Sequence, residues 1–321
     1  MNPPPILSIC IVTLNAHEYL KDCLESIKKH AGSLSHEIIV VDNGSRDNTL
    51  KMLREEHPDV VVIANQQNLG FTKPNNQAIN ISKPGKYILL LNPDTIVYES
   101  SLQNLVDFAE NHPQAGIVGP KVLNDDGTFQ KHCKRGEGRP WETFSYFLGL
   151  SKMFPRSKFF SGYLQTHLDE NQTHQVPAIS GCCMLIRRTT LDLIGGLDED
   201  LFAYQDDTEY CVRARKAGWK VYYTPSAQIM HLGGKGGSRV QPYKSIYKWH
   251  QSYYIYYNKH LAQDYFFLFN WFYYLVMFLK LGFTLLINLF RKEKHAGPNR
   301  NYLQKKQNGQ RPVGSEKTSL P

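Results

Sequence analysis

The chain has 321 residues, 41% of them hydrophobic and 21% charged, which is enough to bury a sizeable core and excludes a minimal binding module, a collagen-like repeat and global disorder. Its formal charge of +8 is concentrated at one end: residues 291–321 hold eight basic and two acidic side chains, leaving about +2 for everything before them. A nearly neutral body with a basic tail argues against a surface that tracks nucleic acid.

From Ile6 onward, short apolar runs alternate with helical patterns, the signature of a mostly parallel sheet covered by helices. Strands are predicted at 7–13, 37–42, 60–64 and 87–91, with crossover helices at 17–30, 47–57 and 74–81 between them. Met1 to Pro5 lack the basic and apolar regions of a signal peptide, so the body is expected in the cytoplasm. The six cysteines, Cys10, Cys23, Cys133, Cys182, Cys183 and Cys211, form no CxxC pair, which indicates neither a zinc site nor a disulfide framework. Residues 124–175 are less periodic and read as a substrate-facing excursion. Regular pattern returns with a strand-like run at 176–187, a helix at about 206–217 and strands near 220–223 and 227–230.

The character then changes, because residues 243–290 contain 18 of the chain's 39 aromatic side chains. Within them, residues 265–290 carry one charge, Lys280, and as a helix would be about 39 Å long, sufficient to span a bilayer with tilt. A single span would export the basic tail, against the preference of positive residues for the cytoplasmic side. An interfacial or re-entrant helix pair divided near Lys280 and Gly282, with the tail against anionic headgroups, is the expectation.

Polar clusters follow the early strands, where an open α/β sheet binds ligands: Thr13-Leu14-Asn15, Asp42-Asn43-Gly44-Ser45, Asn68-Leu69-Gly70-Phe71 and Asn92-Pro93-Asp94. The turn after the first strand lacks GxGxxG, which disfavours a dinucleotide fold. Taken singly, each residue has two readings. Asp42 suits a nucleobase N–H or a helix N-cap. Asp94 suits a hard divalent ion bridging diphosphate oxygens or an ordinary turn. Asp206 and Asp207 open a helix, where an acid serves as general base or complements the helix dipole, and adjacent helical residues do not share a face. His231 ends a strand and suits a metal or a structural role, while Gly233-Gly234-Lys235-Gly236-Gly237-Ser238 reads as a phosphate-binding lid or a hinge.

Together, in this order and spacing, these segments resemble a family 2 glycosyltransferase of the GT-A fold, in the rhamnosyltransferase-like branch that builds cell-surface polysaccharides. Ser8 to Asn15, Val41 to Ser45, Asn68 to Phe71, Leu91 to Asp94, Ser180 to Arg187, Gly195 to Glu199, Phe202 to Arg213 and His231 to Gly234 carry the resemblance. Leu14, Asn92 and Asp206 depart from it, standing where the family usually has an aromatic residue, the first acid of a DxD and a Glu.

The resemblance implies an α/β GT-A fold with a nucleotide-sugar half (1–120), an acceptor and catalytic half (121–240), an aromatic membrane-associating region (241–290) and a basic, disordered tail (291–321). It implies inverting transfer of a sugar, rhamnose among the candidates, from a dTDP- or UDP-linked donor to a glycan or lipid-linked glycan at the cytoplasmic face of the inner membrane. Donor contacts fall to Thr13, Asn15, Asp42, Asn68, Gly70, Asn92 and Asp94. Gly233, Gly234, Lys235 and Ser238 meet the diphosphate, Asp94 and His231 hold Mn²⁺ or Mg²⁺, and Asp207 is the base. A sugar-nucleotide-binding protein without turnover is the alternative.

Overall fold

A computed structural model describes residues 3–233 and 242–290. In chain order it forms β1 (Leu7–Thr13), α1 (His17–His30), β2 (His36–Asp42), α2 (Thr49–Glu56), β3 (Val61–Ala64), α3 (Thr72–Ile81), β4 (Tyr87–Leu91), β5 (Thr95–Val97), α4 (Ser101–Asn111) and β6 (Ala115–Leu123). There follow β7 (Lys134–Arg135), α5 (Pro140–Phe147), α6 (Leu150–Met153), β8 (His174–Gln175), β9 (Ala178–Ile179), β10 (Cys183–Arg187), α7 (Arg188–Ile194), α8 (Asp206–Lys216), β11 (Lys220–His231), α9 (Pro242–His260) and α10 (Phe267–Phe290).

The strands at the centre are apolar on both faces, as a sheet covered by helices requires, and all five residues of β4 are buried. On α1, Leu20, Cys23, Leu24 and Ile27 follow helical spacing and are the positions buried against that sheet. The main sheet runs β3-β2-β1-β4-β10-β6-β11-β5, with β8 also on β11. β10 is antiparallel to both β4 and β6, and β11 is parallel to β6, so β3, β2, β1, β4, β6 and β11 all point one way. The chain leaves β1 toward β2 and β3, then returns to the other side of β1 as β4. That reversal opens a crevice beyond the carboxyl ends of β1 and β4, where open α/β sheets bind ligands.

Several sequence expectations are revised. The run 176–187 divides into β9 and β10 because Gly181 N–H donates to Asp207 Oδ2 and Ser180 N–H to Cys133 O, which takes both out of a continuous ladder. The two strands expected at 220–223 and 227–230 are one, β11, with a register shift between Thr224 and Gln228 where Pro225 has no N–H to give. The excursion 124–175 holds β7, β8, α5 and α6. Lys280 and Gly282 do not divide the aromatic segment: α10 is one helix of 24 residues, and no helix pair forms there. It is long and apolar enough to cross a membrane, with Trp271 76% and Phe290 81% exposed.

The close approach at Gly70 fixes the crevice wall. Its φ is +94°, and a Cβ there would lie 2.2 Å from Phe202 O. Phe71 N–H donates to that same oxygen at 2.6 Å, and Thr72 Oγ1 donates to Leu201 O. Gly70→Ala is therefore expected to cost more than about 1 kcal/mol, because the left-handed backbone and the clash act together. Denaturant titration against wild type measures it, and equal stability would mean that the two loops are free to part.

Candidate active site

Loops at the strand ends, the turn before α8 and residues of α8 and α9 close on a cavity of about 400 Å³. Thr13 and Leu14 from the end of β1, Asn43, Asn68 and Gly70 line one side, and Asn92, Asp94 and His231 line another. Asp206 and Asp207 face in from α8, beside Arg135, Gly181 and Cys182, and Lys244, Lys248 and Trp249 of α9 complete the wall.

The wall that Thr13, Asn68 and Gly70 form is pinned by a residue to which sequence reading gave no role. Asn43 Nδ2 donates to Asn68 Oδ1 at 2.9 Å and to Gly70 O at 2.7 Å, while its Oδ1 accepts Leu69 N–H at 3.0 Å. One amide thus sets the whole 68–70 loop; an Asn directly after a strand-end Asp was its only signal. Asn15 does not line the cavity. It braces the neighbouring loop, its N–H donating to Ser45 Oγ and its Oδ1 accepting Arg46 N–H. Asp42 is also outside the lining and fully buried, and it is no N-cap, since α2 starts at Thr49. Its Oδ2 accepts Ser45 N–H, while its Oδ1 and the neighbouring Thr13 Oγ1 have no hydrogen-bond partner. Buried polar atoms left unsatisfied mark a place where a polar ligand group would be held.

Across the crevice, β5 pairs with the end of β11, so that Thr95 lies opposite His231, and Leu232 N–H donates to Asp94 O at 2.9 Å. Asp94 Oδ1 lies 3.3 Å from His231 Nε2, and Asn92 Nδ2 is 3.2 Å from the same nitrogen. His231 Nδ1 meets Gln130 Oε1 at 2.8 Å, a hydrogen bond that orients the ring and fixes Nδ1 as a donor. Burial alone would lower the imidazole pKa, but the Asp94 carboxylate overrides it and raises it to about 10. A raised pKa contributes stability below the unfolded value of 6.5 that is lost as pH climbs through about 10. The stability advantage of wild type over His231→Gln is thus expected to be full below pH 6.5 and to vanish by about pH 10. Urea titrations across that range check it; a flat difference would mean that the pair does not carry this charge.

A carboxylate oxygen and an imidazole nitrogen aimed at one cavity suit Mn²⁺ or Mg²⁺, which commonly takes one or two protein ligands and completes its shell with phosphate and water. Among the described residues no group of three metal-ligating side chains gathers, so Asp94 and His231 fit such a cation only together with a ligand's oxygens. Gly233 is described, with φ +62°, and does not line the cavity. Gly234, Lys235 and Ser238, expected at the diphosphate, lie outside the described residues.

The acids of α8 are presented by a strained turn. Tyr204 and Gln205 have φ of +70° and +59°, two consecutive left-handed non-glycine residues directly before the helix. Both Asp206 and Asp207 reach the cavity, which corrects the expectation that only one would: the turn sits at the helix start, where side chains on neighbouring positions spread around the open end. Asp207 Oδ2 accepts Gly181 N–H at 2.9 Å and pairs with the Arg135 guanidinium, and its Oδ1 accepts Thr208 N–H. Asp206 is 6% exposed, and burial, reinforced by the Asp207 carboxylate, pushes it up to about 7. Arg135, on β7 inside the irregular excursion, carried no sequence signal. Arg213 turns away and binds Glu209, in keeping with its spacing from Asp207.

Comparison with known proteins gives this geometry its context. The family described as Glycosyltransferase like family 2 matches residues 3–243. The N-acetylglucosaminyl-diphospho-decaprenol L-rhamnosyltransferase of Mycobacterium tuberculosis is 28% identical over 78% of this chain and 83% of its own. Rhamnosyltransferase WbbL of Escherichia coli is 25% identical over 75% of this chain and 88% of its own. Among solved structures, GalNAc-T7 with UDP, GalNAc and Mn²⁺ superposes with a TM-score of 0.56 at 17% identity, over 78% of this chain and 47% of that one. The mannosyltransferase PcManGT of Pyrobaculum calidifontis, with GDP-Man and Mn²⁺, gives 0.53 at 16% identity, over 78% and 64%. These likenesses establish the GT-A fold.

Proposed function

The chain belongs to the glycosyltransferase-like family 2, a glycosyltransferase of the GT-A fold, and from that premise we propose that it moves a sugar, rhamnose first among the candidates, from a dTDP- or UDP-linked donor to a lipid-linked glycan, with inversion. The observation that carries this reading is that the Asp94–His231 pair and the Asp206–Asp207 pair line one cavity. The rhamnosyltransferases of M. tuberculosis and E. coli support the sugar, and the diphospho-decaprenol in the former's name supports the acceptor class.

Residues 1–120 serve the donor and 121–240 the acceptor. Thr13, which lines the cavity, offers its unsatisfied hydroxyl to the base or ribose, Asp42 acts from behind that wall by holding Ser45 N–H, Asn15 braces the same loop, and Asn68 and Gly70 shape the pocket as Asn43 holds them. Asp94 and His231 would hold Mn²⁺ or Mg²⁺, with Asn92 beside them on the donor wall, and a cation there would supply charge neutralisation for the diphosphate. Asp207, oriented by Gly181 N–H and Arg135, takes the proton of the acceptor hydroxyl. Arg135 compensates the charge beside the buried Asp206, which remains largely protonated below pH 7. The exposed aromatic face of α10 rests on the cytoplasmic side of the inner membrane, where a lipid-linked acceptor is presented.

Thermal unfolding of the full chain with UDP, dTDP, GDP and CMP, each with and without Mn²⁺, tests the donor site. One nucleoside diphosphate at about 100 times its Kd, with metal, is expected to raise Tm by about 5 °C. Stabilisation of equal size without metal would remove the metal role of Asp94 and His231, and no response to any nucleotide would remove the donor site.

A further inference from the structure

A second cavity, of about 640 Å³, lies between α5, α9 and α10. Its walls are almost wholly apolar, with Phe147 from α5, Trp249 from α9, and Met277 and Phe283 from α10. The opposite face of α10 is bare: Phe267, Trp271 and Phe278 are each more than 70% exposed. The helix therefore has an outward apolar face suited to acyl chains and an inward one that encloses a groove.

Two features tie this groove to the catalytic cavity. Trp249 lines both, so its side chain is a wall that the two cavities share. The side chain preceding it, Lys248, faces the catalytic cavity, while Lys280 stands in the groove 4.2 Å from the Trp249 ring centre and 4.5 Å from that of Phe147. Lys280 Nζ donates to His250 Nε2 at 3.1 Å and lies over the Trp249 and Phe147 rings, and among the described residues no ion pair to it is found. His250 is no counter-charge, since its Nδ1 donates to Ile246 O and its Nε2 accepts. A cation inside an apolar groove without an anion is costly unless a ligand supplies one. A molecule running from the acids of α8 into the groove would pass a lysine on each side of Trp249 and then meet mostly apolar walls, with Thr143, Thr284 and Asn288 as polar positions among them.

We infer that this groove binds the first isoprenoid units of a prenyl-diphosphate-linked acceptor, with Lys280 and Lys248 flanking its diphosphate at Trp249. The assignment rests on the lipid-linked acceptor proposed above and adds where in the chain the lipid is recognised. Anionic charge matches the two lysines, a branched unsaturated chain matches the aromatic walls, and the junction at Trp249 lets the sugar reach Asp207 while the lipid stays in the groove.

Two measurements on the full chain in detergent micelles test it. In the first, sugar transfer is followed to N-acetylglucosaminyl-diphospho-farnesol and to methyl N-acetylglucosaminide, for wild type, Lys280→Met and Met277→Trp. Each substitution is expected to raise KM for the farnesyl acceptor about tenfold and to leave the methyl glycoside and the donor KM unchanged. Equal effects on both acceptors, or on neither, would overturn the assignment. In the second, which needs no turnover and no folded variant, a benzophenone-bearing farnesyl diphosphate is photolysed with wild type and labelled peptides are mapped. Label on α5 and α10 that farnesyl diphosphate displaces, and that phosphatidylglycerol and dodecyl phosphate do not, is expected. Equal displacement by those lipids would make the groove a general lipid seat and overturn the proposal. Displaceable labelling without transfer to any acceptor would keep the groove and remove the transferase reading; transfer to both acceptors without labelling would do the reverse.

Discussion

Asp207→Asn is expected to lower kcat by about 10²–10⁴-fold, the usual worth of a general base, with nucleoside diphosphate affinity unchanged. The amide keeps the side chain's shape and an oxygen for Gly181 N–H, so the loss falls on proton transfer. It also removes the charge facing Arg135, whose side chain is 15% exposed, and breaking such a pair costs roughly 3–5 kcal/mol. A fall in rate alone could then reflect a loosened fold. The double variant Arg135→Met, Asp207→Asn separates the two effects, because it removes both charges: stability should return toward wild type while kcat stays low. Recovery of rate with stability would assign Asp207 a structural part only. Asp206→Asn offers a further contrast. Its carboxyl titrates near pH 7 owing to burial and the neighbouring acid, so its removal is expected to change the pH–rate profile around neutrality more than the maximal rate.

Asp94→Ala is expected to abolish the Mn²⁺-dependent part of donor binding and to lower kcat/KM by about 10²-fold or more, since charge neutralisation on a leaving diphosphate is worth several kcal/mol. The same change frees His231 Nε2 from the carboxylate 3.3 Å away, so the imidazole pKa should fall from about 10 toward its ordinary range. Titration of the ring by NMR reads that fall independently of activity. Calorimetry with the nucleoside diphosphate, with and without Mn²⁺, gives the binding term. Retention of metal-dependent binding in Asp94→Ala would place the cation elsewhere.

The parallel core was legible because its signals are local: β4 is an unbroken apolar run, β1 is apolar but for Ser8 and its closing Thr13, α1 has helical spacing, and polar clusters sit at the strand ends. Residues that meet across long separations were not. Arg135 and Asp207 are brought together by the short pairing of β7 with β9, which no periodicity marks. Both acids reach one cavity through a left-handed turn at Tyr204 and Gln205, residue types that give no hint of positive φ. Asn43 resembles any polar residue after a strand, yet its three hydrogen bonds set the 68–70 loop. Lys280 looked like an interruption in an apolar run. Inside one continuous helix its amine lies over two aromatic faces and donates to His250, which eases its burial without supplying a counter-charge, and the backbone runs on unbroken.

The most direct test of the proposed activity is transfer itself. The full chain in detergent is incubated with Mn²⁺, dTDP-linked rhamnose or a UDP-linked sugar, and N-acetylglucosaminyl-diphospho-farnesol, and the lipid product is analysed by mass spectrometry and by NMR at the new anomeric carbon. The proposed activity predicts addition of one sugar from one of these donors, with the anomeric configuration opposite to that of the donor. Donor binding without transfer to any acceptor would contradict it and make the protein a sugar-nucleotide-binding one; transfer with retained configuration would contradict the single in-line displacement assigned to Asp207.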